Sequence, residues 1–301
     1  MNTSCWLIIC SLFFTVGITG KSARANNPDY EQRRTAYIDS ALANFSDDAV
    51  TLQAYRGLPV DTQALHNLLA AVPVKSTSDF DIVKLIRILF FTNGTYDAQI
   101  LPVLASVPFW LTKGDKLRVY WSENHMIMWM SSHWLLHERY GWPMDSSLSS
   151  RLRHYLRLKI HYGFYEFFSS TYAPYTLSGL LNLTDFAQDT EVKNLATQAA
   201  IRLLKDLLMP VNDKGVFYPV AGRNYYSKYE DPYHQNHHHL VYLLTGLGQP
   251  PVGASHSGGF LASSSIPVDS IIASWSPVLD TVYSIGHSLD SISHPSIANH
   301  A

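Results

Sequence analysis

Three short polar-aromatic clusters hold most of the residues in this chain whose types could do chemistry. They are Tyr-Trp-Ser-Glu-Asn-His at 120–125, Gly-Phe-Tyr-Glu-Phe-Phe-Ser-Ser-Thr-Tyr at 163–172 and Gly-Arg-Asn-Tyr-Tyr at 222–226. Each cluster adjoins a helical pattern, and the loops at helix ends are where a helical scaffold usually displays a site. We therefore predict that the three clusters face one shared cleft.

The residue types fit removal of the proton beside a uronate carboxylate, followed by β-elimination of the sugar bond. Asn124 and Arg223 could donate hydrogen bonds to the carboxylate and stabilise the negative charge that develops there. His125, a side chain that titrates near neutrality, could be the base. A tyrosine could be the base, or the acid that protonates the leaving oxygen: Tyr172, Tyr225 or Tyr226.

Two other functions use the same clusters. A glycoside hydrolase needs two carboxylates flanking the sugar bond, and Glu123 and Glu166 form the best pair, with Asp185 in reserve. A glycan-binding protein without catalysis needs only the aromatic surfaces, for which Trp121 and Tyr226 are the candidates. Purely structural roles also stay open, such as Glu123 compensating the positive end of a helix.

The Trp-Ser-Glu-Asn-His start of a helix, the Gly-x-Tyr-Glu-x-x-Ser-x-x-Tyr loop and the Gly-Arg-x-Tyr loop together resemble an uncharacterised group of secreted proteins. That group is similar to the α/α-toroid carbohydrate-active enzymes, which include chondroitin, hyaluronate, alginate and heparin lyases and the six-hairpin glycosidases. The resemblance covers about 121–226 and implies a site built from an Asn–His pair, an Arg and a Tyr. Asn124, His125, Arg223 and Tyr225 match these types.

Histidines offer a possible metal site that we do not favour, and we predict no cofactor. Four of them fall within six positions: His234, His237, His238 and His239. His133 and His137 are one helical turn apart. The chain has no His-Glu-x-x-His motif, so a structural role is the better interpretation of these side chains.

The elements that must position these residues are mainly helices. Capping residues and apolar spacing predict helices over about 61–71, 78–89, 122–140, 147–160, 174–184 and 190–209. Successive helices with short links favour antiparallel hairpins, and the resemblance implies an α/α-toroid over 26–250. Residues 251–301 contain strand-like runs at 260–266 and 271–275, which predict a β-type tail. This tail could be the start of a truncated β-sandwich or strands that cap the helical part.

Residues 1–25 have the pattern of a secretory signal peptide, with an uncharged apolar run followed by small residues. Cleavage would remove both cysteines, Cys5 and Cys10, and leave a thiol-free extracellular protein. The net charge is −2 and no basic patch is present, which argues against nucleic acid and against a membrane partner after cleavage. Three sequons predict a glycoprotein: Asn44, Asn93 and Asn182.

Overall fold

The computed structural model describes residues 28–110, 117–217 and 231–277, which are mainly helical and contain no β-strand. This confirms the predicted helical class. The helices are α1 (Pro28–Ala43), α2 (Val50–Tyr55), α3 (Thr62–Ala71), α4 (Asp79–Thr92), α5 (Asp97–Ala105), α6 (Glu123–Tyr140), α7 (Leu148–Tyr162), α8 (Ala173–Phe186), α9 (Thr190–Leu208), α10 (His238–Thr245), α11 (His256–Ala262) and α12 (Asp269–Ala273).

Local capping explains where several of these helices begin and end. The Asp61 carboxylate accepts a hydrogen bond from the Ala64 amide at 2.8 Å, and α3 begins at Thr62. Asp189 caps α9 in the same way, by accepting from the Val192 amide at 2.9 Å. Gly141 ends α6 in the left-handed conformation, with φ at 68°. The predicted starts of α3 and α9 and the predicted end of α6 are therefore confirmed.

Helix α8 lies at the centre of the packing. It contacts α4, α6, α9 and α11, and nearly all of its residues are buried. It approaches α6 closely at Gly179, where an added Cβ would lie 3.2 Å from backbone atoms of Ile127 and Met128. A larger side chain at this position would push α6 away, so Gly179 sets the distance between the two helices.

Five helices contact one another in a closed sequence. α2 packs on α4, α4 on α6, α6 on α8, and α8 on α11, which returns to α2. The first helix joins the last ones through two arginines. Arg33 donates to the carbonyl oxygens of Leu243 and Leu244 at 3.0 Å, and Arg34 donates to that of Ala262 at 2.6 Å. Contacts between the two ends of the described chain thus close the fold.

The predicted β-type tail is wrong for residues 251–277. The first three residues of the run 260–266 belong to α11, and the first three of the run 271–275 belong to α12. Ser255 caps α11 by accepting from the Gly258 amide at 3.1 Å. Gly258 and Gly259 let α11 approach α1 and α2, because an added Cβ would lie 2.2 Å from the Tyr37 hydroxyl and 3.3 Å from the Asp48 carbonyl oxygen, respectively. Tertiary contacts override the weak strand propensity.

Two other expectations concern residues 1–25 and the sequons. The signal segment lies outside the described residues, and among the residues that are described no helix combines the length and apolarity that crossing a bilayer requires. Asn182 is fully buried and donates from Nδ2 to the Val83 carbonyl oxygen at 2.9 Å. A glycan on Asn182 is incompatible with this packing, whereas Asn44 and Asn93 are exposed.

Candidate functional site

Four helices present their first turns to the same end of the fold through a stack of rings. Phe80 of α4 lies between His125 of α6, at a centroid distance of 5.1 Å, and Tyr175 of α8, at 4.1 Å. Tyr175 in turn contacts the ring of His256, the first residue of α11, at 4.7 Å. We call Phe80, His125, Tyr175 and His256 the ring stack. It shows that α4, α6, α8 and α11 begin close together.

His125 forms a buried pair with an acid that the sequence analysis did not assign to the site. Its Nδ1 lies 2.6 Å from Oδ2 of Asp79, and the two side chains are 7% and 0% exposed. A carboxylate on Nδ1 accepts the ring proton there, which leaves Nε2 as the basic nitrogen. The arrangement therefore orients an imidazole that can accept a proton through Nε2.

The Asp79 carboxyl is held in an environment that opposes its ionisation. Burial raises the pKa of Asp79 to about 6, although the hydrogen bond and the charge of His125 act in the opposite direction. Its second oxygen, Oδ1, has no hydrogen-bond partner among the described residues. Protonation of Asp79 would remove the acceptor that orients the His125 ring.

Asn124, beside His125, is completely buried. Its Oδ1 accepts a hydrogen bond from the Ser122 hydroxyl, and its Nδ2 has no partner within the described part of the chain. A buried donor without a partner costs stability, of the order of 1–3 kcal/mol. Packing therefore does not explain an asparagine at this position.

Glu123 is buried and accepts hydrogen bonds on both carboxylate oxygens. The Lys159 ammonium lies 2.5 Å from Oε2, and the Tyr165 amide donates to the same oxygen at 2.9 Å. The Glu166 amide donates to Oε1 at 2.5 Å. Glu123 thus holds the loop 163–172 against the start of α6, and this role uses both of its oxygens.

We expect Glu123→Gln to lower the free energy of unfolding by about 3 kcal/mol, because it leaves the buried Lys159 ammonium without its partner. Thermal and denaturant unfolding measure this loss. Glu191→Gln is the matched control, since Glu191 pairs with Arg153 at 2.8 Å but is 49% exposed. That change should cost less than about 1 kcal/mol. Equal losses in the two variants would contradict the role of Glu123.

The loop 163–172 brings Glu166 beside the start of α6. Glu166 is half-buried, and its backbone is fixed by Glu123 as described above. Phe168 has a φ of 53°, a conformation that is rare for a phenylalanine and indicates that the surrounding contacts determine the loop's path. Tyr172 is half-exposed and donates its amide to the Ser169 hydroxyl at 3.0 Å, just before α8 begins.

Two aromatic side chains project into solvent next to this region. Trp121 is 76% exposed and immediately precedes the first turn of α6. Tyr165 is 74% exposed, and its ring centroid lies 4.1 Å from the Lys159 ammonium. Because Glu123 binds the Tyr165 backbone, the segments that carry the two rings are neighbours.

The structure brings together the first two of the three predicted clusters. The third predicted cluster, which contains Arg223, Tyr225 and Tyr226, lies outside the described residues. Asp185, the reserve carboxylate, forms an ion pair with Arg87 at 2.5 Å. It lies ten residues after Tyr175 on α8, which is about 15 Å along the helix, and so belongs to the other end of the fold.

The four clustered histidines point in different directions. The His234 side chain is 80% exposed, whereas His237 is buried against the Phe217 ring at 4.0 Å. His238 bonds the Gln249 carbonyl oxygen at 2.8 Å, and His239 contacts the Tyr37 hydroxyl. His133 and His137 each bond a backbone carbonyl oxygen. Within the ranges that the structure covers, no three His, Cys, Asp or Glu side chains are arranged to hold a metal ion.

Sequence reasoning missed Asp79 and the residues near His256. The run Ser78-Asp79-Phe80-Asp81 has the pattern of a capping box, but the Ser78 side chain makes no capping bond, and Asp79 contacts His125. An acid at the start of a helix usually compensates the helix dipole, so its type gave no signal of a partner 46 residues away.

Comparison with known proteins identified no relative of this chain. No protein-family model matches the chain, and no similar protein was found among curated proteins or among solved structures.

Proposed function

We propose that this chain is a secreted carbohydrate-active protein that cleaves a uronate-containing polysaccharide by β-elimination, with His125 as the base. The observation that carries the proposal is the buried His125–Asp79 pair, 2.6 Å long, at the end of the fold where four helices begin. A base held by a buried acid is a common device for proton abstraction near neutral pH.

The helix contacts support the α/α-toroid that the sequence resemblance implies. We infer that α2, α4, α6, α8 and α11, which contact one another in a closed sequence, form the inner layer of such a ring. The first turns of α4, α6 and α8, which the ring stack brings together, direct partial positive charge toward one end. A polymer that carries carboxylates would be attracted to that end.

The proposed reaction moves one proton off the sugar and one proton onto the leaving group. His125 Nε2 takes the proton from the carbon beside the carboxylate, and the electron pair forms a carbon–carbon double bond. The carbon–oxygen bond to the neighbouring sugar breaks, and a tyrosine, Tyr172 or Tyr225, protonates the leaving oxygen. Asn124 and Arg223 would stabilise the charge on the carboxylate, as the resemblance implies.

The geometry weighs against the hydrolase alternative built on Glu123 and Glu166. A catalytic carboxylate must reach the glycosidic oxygen or the anomeric carbon. Glu123 is 4% exposed, and both of its oxygens accept hydrogen bonds from the loop or from Lys159. We therefore assign Glu123 to positioning the loop.

Binding of a glycan without cleavage is the second candidate function. The exposed rings of Trp121 and Tyr165 favour it, since flat aromatic faces stack on sugar rings. In that case His125 would contribute only a hydrogen bond.

Incubating the purified protein with uronate-containing and neutral polysaccharides tests the proposal. Elimination produces an unsaturated sugar that absorbs ultraviolet light, whereas hydrolysis produces reducing ends without that absorbance. We expect absorbance to rise with the uronate polymers only. Reducing ends without absorbance would establish a hydrolase, and binding without either product would establish the second candidate.

The pH dependence of turnover should reflect the His125–Asp79 pair. Burial raises the pKa of Asp79 to about 6, so this carboxyl gains a proton as the pH falls through that value. A protonated Asp79 no longer accepts the His125 ring proton, so we expect kcat/KM to fall below about pH 6. Asp79→Asn removes this carboxyl, so the part of the fall that depends on its protonation should be absent from that variant. A profile that stays flat from pH 7 down to about pH 5 would contradict this assignment.

A further inference from the structure

A second polar cluster lies at the far end of the ring stack from His125. It comprises Asp48, Lys84, Tyr175, His239 and His256, and we call it the distal cluster. Asp48 precedes α2, Lys84 lies in the second turn of α4, and the other three lie in the first turns of α8, α10 and α11. The Asp48 carboxylate lies close enough to Lys84, His239 and His256 to interact with their charges, and Tyr175 contacts the His256 ring. Helices that are far apart in the sequence thus contribute to one polar region.

Lys84 and Asp48 form the charged part of the distal cluster. Their ammonium and carboxylate groups are 2.5 Å apart, and the two side chains are 12% and 33% exposed. Burial opposes ionisation of Asp48, but the Lys84 charge keeps the pKa of this carboxyl below its ordinary value. Because an ammonium has three donors, one bond to Asp48 leaves Lys84 with donors for a ligand.

His256 supplies a buried ring nitrogen without a partner. It is 4% exposed and packs between the rings of Tyr175 and Phe260, each at 4.7 Å. Its Nε2 has no hydrogen-bond partner in the described part of the chain. Burial lowers the pKa of His256 to about 3, so the ring is neutral at physiological pH. An unpartnered buried nitrogen is costly and points to a ligand at this position.

His239 lies beside the Tyr37 hydroxyl. The hydroxyl oxygen accepts from the Ser255 amide at 3.1 Å and lies 2.8 Å from Nδ1 of His239. When the hydroxyl donates to Nδ1, a neutral His239 carries its own proton on Nε2 and can donate it to a ligand. Burial lowers the pKa of His239 to about 4, which keeps the half-buried ring neutral.

We infer that the distal cluster is a second subsite that binds an anionic group, a carboxylate or a sulfate, on the same glycan whose reacting sugar lies at His125. This inference rests on the proposed function. Lys84 supplies the positive charge, and Tyr175 and His239 supply neutral donors. The successive ring distances of 5.1, 4.1 and 4.7 Å place His256 no more than about 14 Å from His125, which is within the reach of one oligosaccharide.

The test measures binding of oligouronates of increasing length, from disaccharide to hexasaccharide, in a His125→Ala background that prevents turnover. We expect affinity to rise once the chain is long enough to reach the distal cluster. Lys84→Met should reduce hexasaccharide affinity about 10- to 100-fold, because it removes a charge-assisted hydrogen bond. Tyr175→Phe and His256→Phe keep aromatic rings in the stack and should also remove the gain with length. Lys214→Met, at an exposed lysine, is the control for net charge.

Two results separate this inference from the proposed function. If affinity rises with length equally in the His125→Ala parent and in all the variants made in it, the second subsite is overturned and the proposed function stands. If no oligouronate binds, sodium sulfate and sodium glucuronate are titrated while the His256 ring is followed by NMR. A shift that Lys84→Met removes would establish the anion site without the proposed function. The absence of any shift would overturn both.

Discussion

His125→Ala should lower kcat/KM on the cleaved polysaccharide by about 10²- to 10⁴-fold, the range over which a positioned general base contributes. The side chain is the only member of its pair that can receive the substrate proton, because Asp79 is fully buried behind it. Rates of formation of the unsaturated product measure this loss. Asp79→Asn should also reduce the rate, since Asp79 orients the ring and stabilises its protonated form.

The matched control is His66→Ala, which removes an exposed histidine from α3. It should leave both the rate and the melting temperature unchanged. Asn124→Ala separates function from stability, because it removes a buried donor that lacks a partner. We expect that variant to lose activity and to keep most of its stability. Full activity in His125→Ala would refute the proposed base.

Arg87→Met should lower the free energy of unfolding by about 5 kcal/mol, the largest effect on stability that we expect. The guanidinium is fully buried and joins three helices. It forms an ion pair with Asp185 at 2.5 Å and donates to Asn182 at 2.8 Å and to Ser263 at 2.9 Å. Methionine fills the volume but leaves the Asp185 charge buried without its partner.

Equilibrium unfolding in urea measures this loss, and Arg139→Met is the control. Arg139 also lies over an aromatic ring, that of Phe90 at 4.6 Å, but its hydrogen bond to Asn93 is exposed. Its replacement should cost less than about 1 kcal/mol. If the two arginine variants lost the same stability, Arg87 would not have the structural role assigned to it.

These predictions assign different tasks to the two ends of α4. Asp79 opens the helix and contacts His125, whereas Arg87 lies eight residues later, about 12 Å along the axis. The start of the helix faces the candidate site, and its second half holds α8 and α11 together. Changes at the start of α4 should therefore affect activity, and changes in its second half should affect stability. The two effects should add independently, since sites this far apart are usually independent.

The amino-acid sequence was sufficient for the helical class and for the approximate bounds of six of the twelve helices in the described residues, α3, α4 and α6 to α9. Side chains that cap a helix act within three residues, as Asp61 and Asp189 do, so their effect can be read locally. The position of Asn124 and His125 in the first turn of a helix could also be predicted from the local sequence. The tail could not be predicted in this way, because α11 is stabilised by contacts with α1 and α2 that are more than 200 residues away in the chain.

The candidate site depends on contacts that no local pattern contains. Asp79 meets His125 across 46 residues, and Glu123 binds the amide of Glu166 across 43. Residue type alone left Glu123 open as a catalytic acid, whereas burial and three donors give it a structural role. The distal cluster could not be predicted for the same reason. Its members come from five separate segments of the chain, and only packing places them near the unpartnered nitrogen of His256. Charge and hydrogen-bond partners are properties of three-dimensional neighbours, and the sequence specifies those neighbours only through the complete fold.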